Sequence, residues 1–351
     1  MKPANFGRLA IGVLVLLIGV YCFAGSPPSG YHLLKRITLG GGEGDQEYFD
    51  YITVDVAARR VYLTHRTHVN VIDADTFAVV GDIPGLHQAH GVALVKELGK
   101  GFATDGSAAQ VLSFDLKTLK VTGHIKAGGN ADCTIYDSVS KRVFVFNGDS
   151  KDSTVIDPVT ETVVATIPMG GRPEYAVADD KGMIYDNISD TNEIVALDAR
   201  TLKIKSRWPV APSGQPTSIA MDRRHRRLYI GGRDPKLFVI MNADNGKIVG
   251  QPFPIGDRVD ANIYEPETGL VATSTREGTL HIFHQDSPDK LTPVETIKTE
   301  FGAKTMAIDP KTHNIYLTTS DFEPAPAPTA AQPNPQPRAI PGTFSLLIYG
   351  R

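Results

Sequence analysis

One unit, repeated seven times, constrains this chain more than any other feature. The clearest copy runs from Asp132 to Gly171 and holds four short β-type runs: Cys133 to Tyr136, Val143 to Phe146, Ser153 to Ile156 and Val163 to Ile167. Ser-Lys, Gly-Asp-Ser and Asp-Pro turn signals separate them, which describes one antiparallel sheet of four strands. The layout returns about every 40 to 44 residues. A period of that length implies sheets arrayed around an axis rather than independent domains.

The copies align on their second strands, where an aromatic or aliphatic pair precedes a small polar residue. The seven tetrapeptides begin at Tyr62, Phe102, Phe144, Ile184, Tyr229, Val271 and Tyr316. Third strands close on a turn built from Asp and Thr: VIDADT ending at Thr76, SFDLKT at Thr118, VIDPVT at Thr160 and ALDART at Thr201. Asp and Thr suit this place because short polar side chains bond nearby backbone and stabilise the reversal. The expected fold is an all-β, seven-bladed β-propeller over residues 26–351, each blade a four-stranded antiparallel sheet. Tyr31 to Gly41 resembles the fourth strand that ends each later repeat, and the C-terminal FSLLIYGR resembles a third strand with nothing after it. The N-terminal strand is therefore expected to complete the last blade, closing the ring and removing an exposed edge.

The tetrapeptides look like degenerate copies of Tyr-Val-Thr-Asn. With the turn motif and the spacing, residues 31 to 351 resemble the YVTN or YncE-like seven-bladed β-propeller proteins. The resemblance implies a fold more than an activity, since members of this family and its neighbours serve as binding proteins, surface proteins and enzymes.

Lys2 and Arg8 precede an apolar run from Leu9 to Gly25, followed by Ser-Pro-Pro. Residues 1–25 read as an export signal or an uncleaved N-terminal anchor, so the remainder is expected to be periplasmic or otherwise extracytoplasmic. Membrane contact is expected only through that segment. Of the two cysteines, Cys22 lies in it, and removal would leave Cys133 alone. A Pro- and Ala-rich insertion, residues 321–343, interrupts the last blade and reads as an extended surface loop or a partner-recognition segment. The net charge of −3 argues against nucleic acid as a partner. The run Arg223, Arg224, His225, Arg226, Arg227 falls at a turn expected on the face opposite the site, and Gly40 to Gly44 lacks the Lys and helix of a phosphate loop.

Propeller geometry puts the start of each first strand beside the channel mouth. That position reads Asp50, His90, Asp132, Glu174, Thr217, Asp260 and Lys304 around the ring. The ends of the second strands, which open on the same face, offer His65, Arg66, Asp105, Asn147, Asn187, Arg233 and Ser274. Tyr51, Tyr175 and Arg258 adjoin ring positions and could stack on or clamp an organic anion. Converging acids require protonation, neighbouring cations or a bound ion. Asp50, Asp132, Glu174 and Asp260 could hold a divalent metal, with oxygen ligands favouring Ca or Mg and added imidazole shifting toward Zn or Mn. Two functions follow. One is a non-catalytic binding module of the cell envelope that recognises a small molecule or an envelope protein. The other is a metal-assisted hydrolase or lyase, as in seven-bladed lactonases, with His90 and Glu174 as acid/base residues. A quinone redox enzyme is weakly supported, with a single tryptophan and no paired-cysteine or haem signature.

Overall fold

The computed structural model describes residues 1, 29–41, 47–329, 332 and 335–351. The segment expected to direct export or anchor the chain, Cys22 and the core of the Gly40–Gly44 run lie outside the described residues. Among those described, no helix is long and apolar enough to cross a membrane.

Seven four-stranded antiparallel sheets make the ring. First strands touch in ring order, and blade seven returns to blade one. Blade seven is assembled from both ends of the chain: His32–Gly40 pairs antiparallel with Phe344–Gly350, which pairs with Ile315–Thr319. That pairing closes the circle as expected and covers an edge that would otherwise be open.

The DxxT turn works as its chemistry predicts. Asp73 Oδ1 accepts the Thr76 N–H at 2.7 Å and its hydroxyl at 2.9 Å, and Asp115 treats Thr118 likewise at 2.7 and 2.8 Å. The following residue (Phe77, Leu119, Glu161, Leu202) turns into the left-handed region and returns its N–H to the Asp carbonyl at 2.8 Å. Between blades the core is built from aromatic residues of the second strands, all buried: Tyr62, Phe102, Phe144, Tyr185, Tyr229 and Tyr316.

Two copies shift frame. In blades four and six the second strands are Met183–Ile188 and Leu270–Thr275, so the matching tetrapeptides begin at Tyr185 and Ala272 rather than Ile184 and Val271. The hydrogen bonds confirm this register. Thr104 Oγ1 donates to the Asp132 carbonyl of the next blade at 2.7 Å, and Ser274 makes the same bond to Lys304.

The insertion is more than a loose loop at its base. Phe322 bridges Ala339, Glu323 N–H donates to the Arg338 carbonyl at 2.8 Å, and Ile340 N–H donates to Asp321 O at 2.8 Å.

Candidate functional site

Five first strands present their second residue to the channel mouth, and blade seven presents the residue two places before the strand, Lys304; blade five, with Thr217, is the exception. In six blades the pairing with the second strand shifts at this place, for example between Phe49 and Ile52 and between Ala89 and Val92. Bulges of this kind re-aim side chains, which is how consecutive residues Asp50 and Tyr51 both reach the channel. Inter-blade bonds hold the ring in place: Thr305 Oγ1 to Asp50 O at 2.7 Å, and Thr217 Oγ1 to Val259 O at 2.8 Å.

The mouth is a cavity of about 600 Å³. It is lined by Asp50, Tyr51, His90, Asp132, Glu174, Arg233, Arg258, Asp260 and Lys304, which sequence reasoning placed near it. Thr217 instead spends its hydroxyl between blades. Tyr175 lies below: its ring meets that of Tyr51 edge-on at 4.9 Å, and Tyr51 donates its hydroxyl to the Glu174 carbonyl across the channel at 3.0 Å. The two tyrosines floor the mouth. Asp105 turns to its own loop, accepting from the His87 and Gln88 backbone at 3.1 and 3.0 Å.

His65 and Arg66 are not brought to the mouth. His65 is buried, its Nε2 2.5 Å from Glu47 and its ring stacked 4.1 Å from Phe344, the first residue of the last-blade strand that packs over it. Arg66 lies outside the lining, its N–H on the Tyr48 carbonyl at 2.8 Å.

Seven lining residues escaped the sequence reading: Tyr48, Gln88, Asn130, Arg172, Gln215, Asp257 and Arg276. Five of them stand two places before a ring residue, as does Arg258, so the same repeat arithmetic at a second offset finds them. Arg276 occupies the slot directly after a second strand, the slot of Arg66 and Arg233; counting blade six one residue out hid it. In blade two that slot is Gly106, where a Cβ would fall 2.5 Å from His90 Nε2. Glycine here makes room for the histidine.

The acids are already neutralised by protein cations. Lys304 Nζ lies 2.9 Å from Asp260 and 3.3 Å from Asp50; His90 Nδ1 lies 2.7 Å from Asp50 and 3.2 Å from Asp132; Arg233 pairs with Asp260. Tyr48 donates its hydroxyl to Asp50 at 2.9 Å. Burial would raise the Asp50 pKa, but Lys304 and His90 overcome it and lower it to about 2. Burial would lower that of His90, but Asp132 and Asp50 raise it to about 10, so it carries a charge at neutral pH. Glu174 is pushed up to about 8 by burial and by Asp132, so it is mainly neutral there. Behind it lies fully buried Asp186, whose pKa burial and the Glu174 carboxyl push well above the ordinary carboxylate value.

The balance is positive. Asp50, Asp132, Asp257 and Asp260 face His90, Arg172, Arg233, Arg258, Arg276 and Lys304: four charges against six. Of the six, Arg172 also pairs with Asp149 outside the lining at 2.9 Å, whereas Arg276 has no ion pair among the described residues and its Nε is buried without a partner. Burial and the like charges of Arg258 and Arg233 depress its pKa. An uncompensated guanidinium at this depth is costly unless an anion meets it.

The expected metal set comes together only in part. Ligand atoms of Asp50, His90 and Asp132 lie within 4.8 Å of one another, but Glu174 and Asp260 do not join them. The protonated His90 ring stands between the two carboxylates, with Lys304 beside Asp50. The mouth therefore supplies its own cations.

No protein-family model and no curated protein matches the chain. Solved structures do. The chain is similar to a chain in the crystal structure of a mitotic checkpoint complex, at 13% identity and a TM-score of 0.70, covering 100% of this chain and 99% of that one. It is also similar to Kuenenia stuttgartiensis hydrazine synthase, at 12% identity and a TM-score of 0.68, covering 80% of this chain and 94% of that one. The likeness is one of fold alone. It agrees with the seven-bladed β-propeller.

Proposed function

We propose that this protein is an exported binding protein that captures a small polar anion, a carboxylate or phosphate compound, at the channel mouth. One observation carries the reading: Arg276, partly buried and without a counter-ion, faces a cavity whose acids are already satisfied by Lys304, His90 and Arg233. Arg233, Arg258 and Lys304 complete the anion's surroundings, because guanidinium groups meet oxyanions through paired N–H donors. Gln88, Asn130 and Gln215 offer amides to the rest of the molecule. Export rests on Lys2, Arg8 and the apolar run after them, and kinship with YVTN-type propellers on the repeat and its turn.

Nothing in the arrangement demands catalysis. Tyr51 and Tyr175 lie across the floor of the mouth and leave the ligand to the charged side. The test is calorimetric titration with inorganic phosphate and with acetate at low salt. Saturable one-to-one binding of at least one, weakened about tenfold or more in Arg276→Gln, is the expected result; no saturable binding of either contradicts the reading.

A further inference from the structure

The base of the insertion builds a second cavity, of about 470 Å³, against the mouth. Tyr48, Arg276 and Lys304 line both cavities, so the two are chambers of one site that meet at the uncompensated cation. Their walls differ. The inner chamber is almost wholly charged or amide-bearing, whereas Phe49, Phe322, Pro337, Ala339 and Pro341 give the outer one an apolar side.

This outer wall is constructed rather than incidental. Phe322 meets Phe301 edge-on at 4.9 Å and lies over Gly302, where a Cβ would come within 2.5 Å of its ring. Gly302 has φ +86°, so the backbone also favours glycine there. Glu47 accepts the Gly342 N–H at 2.6 Å, and Arg258 of the mouth donates to Gln336 of the insertion. A surface loop without a role would not need to be tied to a mouth arginine and seated on a glycine beside Lys304.

We infer that the bound molecule has two parts: an oxyacid group held at the junction by Arg276 and Lys304, and an aromatic or branched apolar group that lies in the outer chamber against Phe322 and the insertion prolines. The inference rests on the anion-binding reading and extends it to ligand class. A purely hydrophilic anion would leave the apolar wall wet. An apolar group attached to the anion would instead bury it, which is favourable in proportion to the area covered.

The test compares paired probes on the wild-type chain by ligand-observed NMR titration: acetate with phenylacetate, and inorganic phosphate with phenyl phosphate. In at least one pair the aryl member should bind about tenfold tighter or more, and the pair that shows it identifies the acid. Phe322→Ala should abolish that advantage while the affinity of the small anion stays within about twofold. Ala339→Leu, which fills the chamber instead of emptying it, should do the same and covers the case in which the first variant does not fold. Equal affinities within both pairs, or an advantage that survives both variants, would overturn the inference and leave the anion site standing. Absence of binding by all four probes would overturn both.

Discussion

The two ends of the central channel are built by the same strands and could hardly differ more. One end is the charged mouth of about 600 Å³; the other is a cavity of about 380 Å³ walled by Ile52, Val92, Leu94, Ile135, Ala176 and Ala178. Tyr51 lines both and, with Tyr175, divides them. The repeat is thus able to line a channel with small apolar residues, and does so at one end. The charges at the other end are therefore not a default of the architecture. They gather six cations and five acids, and for the buried ones, Asp50, His90, Asp132 and Asp260, leaving water is costly unless each is paired.

The largest expected effect comes from removing the cation that joins two acids. Lys304→Met leaves Asp50 and Asp260 buried without their shared partner and should cost about 3–5 kcal/mol, read by denaturant unfolding at pH 7. A loss below about 1 kcal/mol would mean that the ring is solvated and the contrast with the apolar end is unimportant.

Next is pH. His90 and Glu174 both have raised pKa values in the folded protein, so both bind protons more tightly folded than unfolded. His90 contributes stability that is complete below its ordinary value near 6.5 and is lost as pH rises through about 10. For Glu174 the window runs from its ordinary 4.5 up through about 8. Thermal unfolding should therefore move to lower temperature between pH 6 and pH 10, and Glu174→Gln should remove the lower part of that decline. Anion affinity should fall over the same lower interval, because ionised Glu174 adds a negative charge beside Arg172 and Arg233.

Smaller effects separate the floor from the far end. Tyr51→Phe removes one buried hydrogen bond to the Glu174 carbonyl and should cost about 1 kcal/mol in unfolding experiments. Arg223→Ala, at the apolar end, should change stability by no more than about 0.5 kcal/mol and leave phosphate titrations unaltered. Its guanidinium meets Asp180 at 2.9 Å in an exposed pair. Two more arginines of that run are likewise balanced: Arg226 by Asp179 at 3.0 Å and by Asp244, and Arg227 by Asp289.

The same comparison shows what could be read from the sequence. The ring of blades and its closure by His32–Gly40 were legible, because a repeat of strands and DxxT turns leaves few other ways to bury its apolar residues. The first tier of the mouth, from Asp50 to Lys304, followed from position within the repeat. Its electrical sign did not. Acids dominated the ring positions, whereas Arg172, Arg258 and Arg276 come from neighbouring offsets, and Glu174 is mainly neutral at neutral pH because of burial that only packing reveals. Arg276 was missed through a frame error of one residue, which in a strand moves every side chain to the other face. The burial of His65 depends on Glu47 and Phe344, which the chain brings together only when the last blade closes.

The most direct measurement is a crystal structure of the protein grown with phosphate and with a divalent cation together. The account predicts an oxyanion among Arg233, Arg258, Arg276 and Lys304, with His90 still bonded to Asp50. A metal ion between Asp50, His90 and Asp132, with no anion near Arg276, would contradict it.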